Sequence, residues 1–321
     1  MRSRDKELLF WVEVFGVQGS AVPLILLRVL IFGAFAALVT LIDDAAHGMS
    51  LHVGVGPHEV AGAALGLLLV LRTNAGYDRW WEGRKLWGGI VNQTRNLGIQ
   101  ALAYGPEDRE WREQVIRWTA ALPHAIRLGL RDQRASTSVT ALLGREAADH
   151  LFASHHMSNA VCLRIGGLLR RAREEMGMDG FAFTRAEEQR AVLIDHMGAC
   201  ERIRSSPLPV AYRIEIRRFI LFFLVTLPFA LVGEIHWLTP LVTMLVAAPI
   251  LALDKIGTEL QFPFTATSLN ALPLDQLCLK IETDLLAMLD AGDPLPPAAP
   301  DRRGGSVAEG SRQALGRATA T

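Results

Sequence analysis

The sequence predicts an all-α membrane protein with four transmembrane helices and a large helical cytosolic region. Three observations carry this reading. Half of the 321 residues are hydrophobic, and they gather in four blocks instead of spreading along the chain. Lysine and arginine are absent from the two loops that join the blocks in pairs. The long stretch between the second and third blocks repeats apolar residues at helical spacing and lacks the alternation of strands. Basic and acidic residues balance at 33 each, so composition gives no reason to expect a nucleic-acid partner.

The first block, residues 21–42, carries only Arg28 as a charge and is long enough to cross a hydrocarbon core of about 30 Å. The second, residues 60–71, makes only about 18 Å of helix. Such a run crosses a bilayer only if protein surrounds it or if its polar continuation lines water. The third, residues 219–232, follows Arg217 and Arg218. The fourth, residues 237–253, contains Pro240 and Pro249, which membrane helices tolerate better than soluble ones. The short turn 233–236 makes a hairpin of these two. Residues 43–58 and this turn hold no Lys or Arg, whereas Arg2, Arg4, Lys6, Arg72, Arg79, Arg84, Lys85 and Lys255 flank the other ends. The positive-inside bias therefore places both loops outside, and both termini in the cytosol, of an inner (plasma) membrane protein.

The chain divides accordingly. Residues 1–20 form an N-terminal cytosolic segment and 21–71 the first two membrane helices. A cytosolic helical domain occupies 72–217, with helices expected over 110–130 and 185–204. Residues 218–254 form the second helix pair and 255–291 a C-terminal cytosolic helical segment. The tail, 292–321, is rich in Pro, Gly, Ala, Ser and Arg and is expected to be disordered.

No pattern points to an enzyme, a cofactor or a metal. The cysteines, Cys162, Cys200 and Cys278, are odd in number and widely spaced. His150, His155 and His156 cluster near Asp149, but at no standard ligand spacing, and read as a solvated helix end or loop. Gly54-Val55-Gly56 lacks the third glycine and helix of a nucleotide loop. Nucleophile elbows and zinc-protease helices are missing from the sequence.

The second apolar block passes without a proline into Arg72-Thr73-Asn74-Ala75-Gly76-Tyr77-Asp78-Arg79-Trp80-Trp81-Glu82-Gly83-Arg84-Lys85-Leu86-Trp87-Gly88. This junction resembles the signature of the bestrophin family of ion channels. Further matches follow in order: Gly19-Ser20; Gly198-Ala199-Cys200-Glu201-Arg202-Ile203 with Ser206-Pro207-Leu208-Pro209 and Tyr212; Trp237-Leu238-Thr239-Pro240-Leu241-Val242; Asp254-Lys255-Ile256-Gly257-Thr258-Glu259-Leu260 with Pro263-Phe264; and Leu272-Pro273-Leu274-Asp275. The resemblance covers roughly residues 5–290 and is greatest to bacterial members.

The resemblance implies a homopentamer around one axial pore, in which the second membrane helix lines a narrow neck through three apolar residues four apart. Those positions fall on Ala63, Leu67 and Leu71, a spacing that puts them on one helix face. The stripe alone would serve equally for packing against neighbouring helices. A ring of leucines expels water and gates by dewetting without choosing charge sign. Glu59 outside and Arg72 inside pull in opposite directions. The reading is a channel for monovalent ions, chloride-type; a sodium or potassium channel, or a non-conducting membrane-anchored regulatory protein, stay open beside it. A second, cytosolic aperture is placed at Phe181 by the same resemblance. The acidic calcium clasp of animal relatives is absent, since residues 264–271 hold no carboxylate. Trp80, Trp81 and Trp87 read as interface residues. Arg72, Asn74, Asp78, Arg79, Trp80, Trp81, Glu82 and Arg84 form a collar at the junction, with Asp78, Arg79, Glu82 and Arg84 as a paired network.

Overall fold

The computed structural model describes residues 22–45, 54–268 and 270–291. The segment 1–20, the Gly19-Ser20 motif, most of the loop after the first block and the tail lie outside the described residues. Among the described residues ten α-helices follow in order: α1 Val22–Ala45, α2 Val55–Tyr104, α3 Arg109–Leu130, α4 Thr137–Leu143, α5 Arg145–Ala153, α6 Met157–Glu175, α7 Gly180–Ser205, α8 Val210–Ile235, α9 Thr239–Glu259 and α10 Leu274–Asp290. Among the described residues there is no strand.

Two cores organise these helices. An apolar bundle of α1, the first part of α2, α8 and α9 packs around Ile25, Leu65, Leu69, Leu224 and Leu251. A larger helical domain, built from the rest of α2 with α3–α7 and α10, packs around Trp87, Leu97, Trp111, Ile116, Leu193 and Ile281. Three helical stretches among the described residues are long and apolar enough to cross a membrane: Pro23–Ala45, Val55–Tyr104 and Val210–Glu259. The third is α8 and α9, folded back on each other at the 3₁₀ turn His236–Leu238, where His236 takes a positive φ of 42°. Arg217 near the start of α8 accordingly comes within 3.5 Å of Asp254 near the end of α9.

The helix boundaries correct the sequence reading. The second apolar run is part of a longer helix that continues past Leu71, as its proline-free polar sequel allowed. It lies inside α2, a single helix of 50 residues that begins at Val55 and extends about 75 Å. Likewise α8 starts at Val210, well before the apolar run at 219, because polar residues continue the same helix. The turn sits at 236–238 and not 233–236. Within the larger domain the expected helices 110–130 and 185–204 correspond to α3 and α7. Asp108 caps α3 by accepting from the Trp111 amide at 2.7 Å, and Asp179 caps α7 by accepting from Phe181 and Ala182.

Helix α7 runs antiparallel along the far half of α2. Arg202 reaches Glu82, His196 abuts Gly89, and Asn96 bonds Gln189. Helix α10 closes the other side. Arg95 pairs with Asp284, Arg127 and Arg131 both reach Asp275, and His124 Nε2 lies 2.9 Å from Glu282. His124 is fully buried between α3 and α10. Burial pushes its pKa below the ordinary 6.5, against the opposing pull of Glu282.

A histidine held neutral in the fold but free to protonate when unfolded stabilises the fold above the unfolded value of 6.5. That contribution is lost as pH falls below it. The melting temperature in detergent is therefore expected to fall between pH 7.5 and 5.5. His124→Gln, which keeps a donor for Glu282 but cannot titrate, should show a shallower fall.

Candidate functional site

Helix α2 has two distinct faces. Leu65, Leu69, Arg72, Gly76, Gly83 and Trp87 are buried against the rest of the chain, at spacings of three, four and seven. The opposite face carries Glu59, Val60, Ala63, Leu67, Leu71, Asn74, Asp78, Trp81, Arg84 and Lys85, all exposed. Leu67 and Leu71 are 61% and 51% exposed, the reverse of what hydrophobic side chains in a closed bundle would show. Ala63, Leu67 and Leu71 follow one another at about 6 Å along the axis. One face thus begins apolar and becomes polar at Asn74 with no change of helix.

At the changeover the buried face holds a charge. Arg72 is 1% exposed. Its guanidinium bonds the Asp254 carboxylate and donates to Thr258 Oγ1 at 2.8 Å, both on α9. Just below, Gly76 lets the helices touch: a Cβ there would sit 3.0 Å from the Gly257 carbonyl oxygen. Arg72 therefore does not present its charge to the exposed face, as the sequence reading had it. The acidic and basic groups that do are Glu59 at one end and Asp78, Arg84 and Lys85 at the other.

The remaining junction residues hold α2 to the larger domain individually. Arg79 donates to three carbonyls, of Ile203 and Ser206 where α7 ends and of Gln261 just past α9, and so covers acceptors at two helix ends. Trp80 Nε1 donates to the Asn270 carbonyl at 2.7 Å. Tyr77, Trp80 and Trp81 stack on one another, with Trp81 exposed. Glu82 accepts from Arg202 at 2.7 Å. Of the expected network among Asp78, Arg79, Glu82 and Arg84, only a Coulombic pull of Glu82 on Arg79 is present: among the described residues none of the four hydrogen-bonds another, and Asp78 and Arg84 form no ion pair. Trp87 is not an interface residue but lies fully buried in the larger core. The sequence reading missed Asp254, Thr258 and the Gly76–Gly257 contact. Asp254 was visible as the one acid at the end of the fourth apolar block.

Phe181 sits in the first turn of α7, 85% exposed. The antiparallel pairing of α7 with α2 places it near the far end of α2, about 50 Å along the axis from Leu71. His156 caps α6 and pairs with Glu201 at 3.0 Å, while His150 and His155 are exposed. Among the described residues no three His, Cys, Asp or Glu side chains gather as metal ligands. The loop after Pro263-Phe264 does not fit a calcium clasp. It closes on protein partners, with Leu272 N donating to the Pro263 carbonyl at 2.7 Å and Arg131 Nε to the Phe264 carbonyl at 3.1 Å. Ser268 reaches Glu259 at 3.4 Å, and that carboxylate is already paired with Lys255.

The family model for bacterial and fungal bestrophin proteins matches residues 1–287. The chain belongs to this bestrophin family. A protein named voltage-dependent anion channel-forming protein sll1024, from Synechocystis sp., is 32% identical over 87% of this chain and 90% of its own length. A protein of the same descriptive name, YneE of Escherichia coli K12, is 31% identical over 91% of this chain and 96% of its own. Among solved structures, a bacterial bestrophin homologue from Klebsiella pneumoniae superposes with a TM-score of 0.78 at 27% identity. That match covers 83% of this chain and 98% of the other. With its apolar helices, this bestrophin is a transmembrane protein whose described helices follow the architecture of that homologue.

The individual anchors differ in value. Arg79→Ala removes the donor to two partly buried carbonyls and one exposed one, and is expected to cost about 1–3 kcal/mol. Glu82→Gln removes only an exposed ion pair and should cost less than about 1 kcal/mol. Thermal unfolding of the two variants in detergent, compared with wild type, checks the order.

Proposed function

We propose that this bestrophin is the subunit of a homopentameric channel for monovalent anions, chloride-type, in which Ala63, Leu67 and Leu71 of α2 form the neck of one axial pore. The observation that carries the reading is the continuous exposed face of α2. Its first part is apolar and its second part polar, yet the helix does not end between them. A face turned to lipid has no reason to continue into Asn74, Asp78 and Lys85. A face turned to a water path does, and five copies around an axis would enclose it. Four crossings by α1, α2, α8 and α9, with both termini in the cytosol, fit the distribution of Lys and Arg. Phe181, at the far end of the α2–α7 pair, would form the cytosolic aperture. The larger domain would enclose the vestibule between the two constrictions. The relatives' descriptive name, an anion channel, supports the choice of ion.

The leucine rings work by excluding water. An ion crossing them loses hydration with no replacement ligand, so the neck gates by dewetting and passes weakly hydrated ions best. Charge sign must come from elsewhere. One observation favours a second reading, a cation-selective pore of the same architecture: Arg72 is internally paired, and the exposed charges nearest the stripe, Glu59 and Asp78, are acids, with Arg84 and Lys85 further along.

Purified protein in a planar bilayer under a KCl gradient tests both readings. Current is expected from wild type, and more from Leu67→Ala with Leu71→Ala, because the dewetting barrier falls. A reversal potential toward the chloride equilibrium supports the anion reading; one toward potassium replaces it with the second. Silence from wild type and the leucine variant alike rejects a channel.

A further inference from the structure

We propose that Arg72 is a positioning residue for the pore. Its ion pair with Asp254, steadied by Thr258 and Arg217, sets the rotation of α2 at Leu71 and hence the width of the inner neck. The inference rests on the channel reading above.

The stripe Ala63, Leu67, Leu71 is exposed on the free face, so its direction is set from the opposite face. That face is pinned twice. At the outer end His58 Nε2 lies 3.0 Å from Thr226 Oγ1 of α8. About 21 Å further along, Arg72 meets Asp254 and Thr258 of α9. Between the pins Leu65 and Leu69 make only apolar contacts in the bundle core, and such contacts resist sliding and rotation weakly because they have no direction. The inner pin is the directional one, and it adjoins the last stripe residue. Arg217 of α8 reaches the other carboxylate oxygen of Asp254 at 3.5 Å and Thr258 Oγ1 at 3.5 Å. The three helices of this side of the bundle therefore converge on one acid.

The pair's own economy points the same way. A buried ion pair contributes little net stability, because desolvation cancels most of its attraction; its best attested use is to fix register. Here Arg72 also leaves its Nε donor without a partner among the described residues, so the side chain is not optimised for bonding. The Gly76–Gly257 contact a turn below holds the two backbones close, and closeness makes the direction of the Arg72 side chain decide the angle of α2.

The full-length protein in liposomes, with cysteine at position 63, 67 or 71, tests this with a neutral thiol reagent, whose rate does not follow the charges removed. The native thiols give low background: Cys162, Cys200 and Cys278 are buried, and burial pushes them up to about 11, about 12 and about 12. Asp254→Asn, and separately Arg72→Met with Asp254→Leu, are expected to change the modification rate at position 71 by roughly tenfold, an effect of about 1.4 kcal/mol. The change should shrink through 67 to 63, where the His58 pin holds. If Asp254→Asn does not assemble, the double variant carries the test, because it leaves no uncompensated charge. An assembled double variant with the wild-type rate at 71 overturns the proposal. A double variant that cannot assemble overturns it too, since the pair would then be a folding requirement. Chloride flux measured on the same liposomes separates the two ideas: a graded shift at 71 without flux in any variant keeps the positioning role and rejects the channel.

Discussion

One unbroken helix passing through two solvents is the constraint on which this structure depends. Helix α2 belongs to the apolar bundle at its start and to the larger helical domain thereafter. A rigid helix has one rotation about its axis. Turning Leu65 and Leu69 into the bundle also turns Trp87, Ile90 and Leu97 into the second core and leaves Leu67, Leu71, Asn74 and Asp78 on the free face. The two cores are thus not independent modules; the placement of one fixes the exposed surface of the other.

The cost of that design falls at the changeover, where a guanidinium is taken out of water. Asp254, Thr258 and Arg217 share the charge among α2, α8 and α9. The consequence for electrostatics is that the arginine nearest the stripe is neutralised inside the protein. The field along the free face is left to Glu59, Asp78, Arg84 and Lys85, none of which is buried. In the proposed channel, apolar rings would supply a barrier and exposed charges its sign, the two tasks falling to different stretches of the same helix.

Much of this was legible in the sequence because it depends on local pattern. Apolar blocks, helical spacing over α3 and α7, and the junction after Leu71 are properties of neighbouring residues. The positions Ala63, Leu67 and Leu71 came from the family resemblance; only their sharing of one helix face follows from spacing. What was not legible is which face turns inward and who partners whom. Arg72 and Asp254 are 182 residues apart, and nothing near either names the other. Arg79 looked like a partner for Asp78 or Glu82 because they are neighbours, yet its guanidinium serves carbonyls at the ends of α7 and α9. Trp87 looked like the exposed Trp81, but six residues along a helix carry it onto the buried stripe, on the same side as the half-buried Trp80 seven residues earlier. Hydropathy ends at Leu71, whereas the hydrogen-bonded helix does not, and the proline-free polar continuation after Leu71 was the legible sign of this.

The central claim is that the apolar part of the free face meets a water path and not lipid. Spin labels placed singly at positions 60–71 of the protein in lipid bilayers test it most directly, through collision rates with lipid-dissolved oxygen and with a water-soluble relaxation agent. The account predicts low oxygen exposure at 63, 67 and 71, with exposure to the water-soluble agent rising toward 71. High oxygen exposure at 67 and 71, equal to that of exposed positions on α1 such as Leu27, would contradict it.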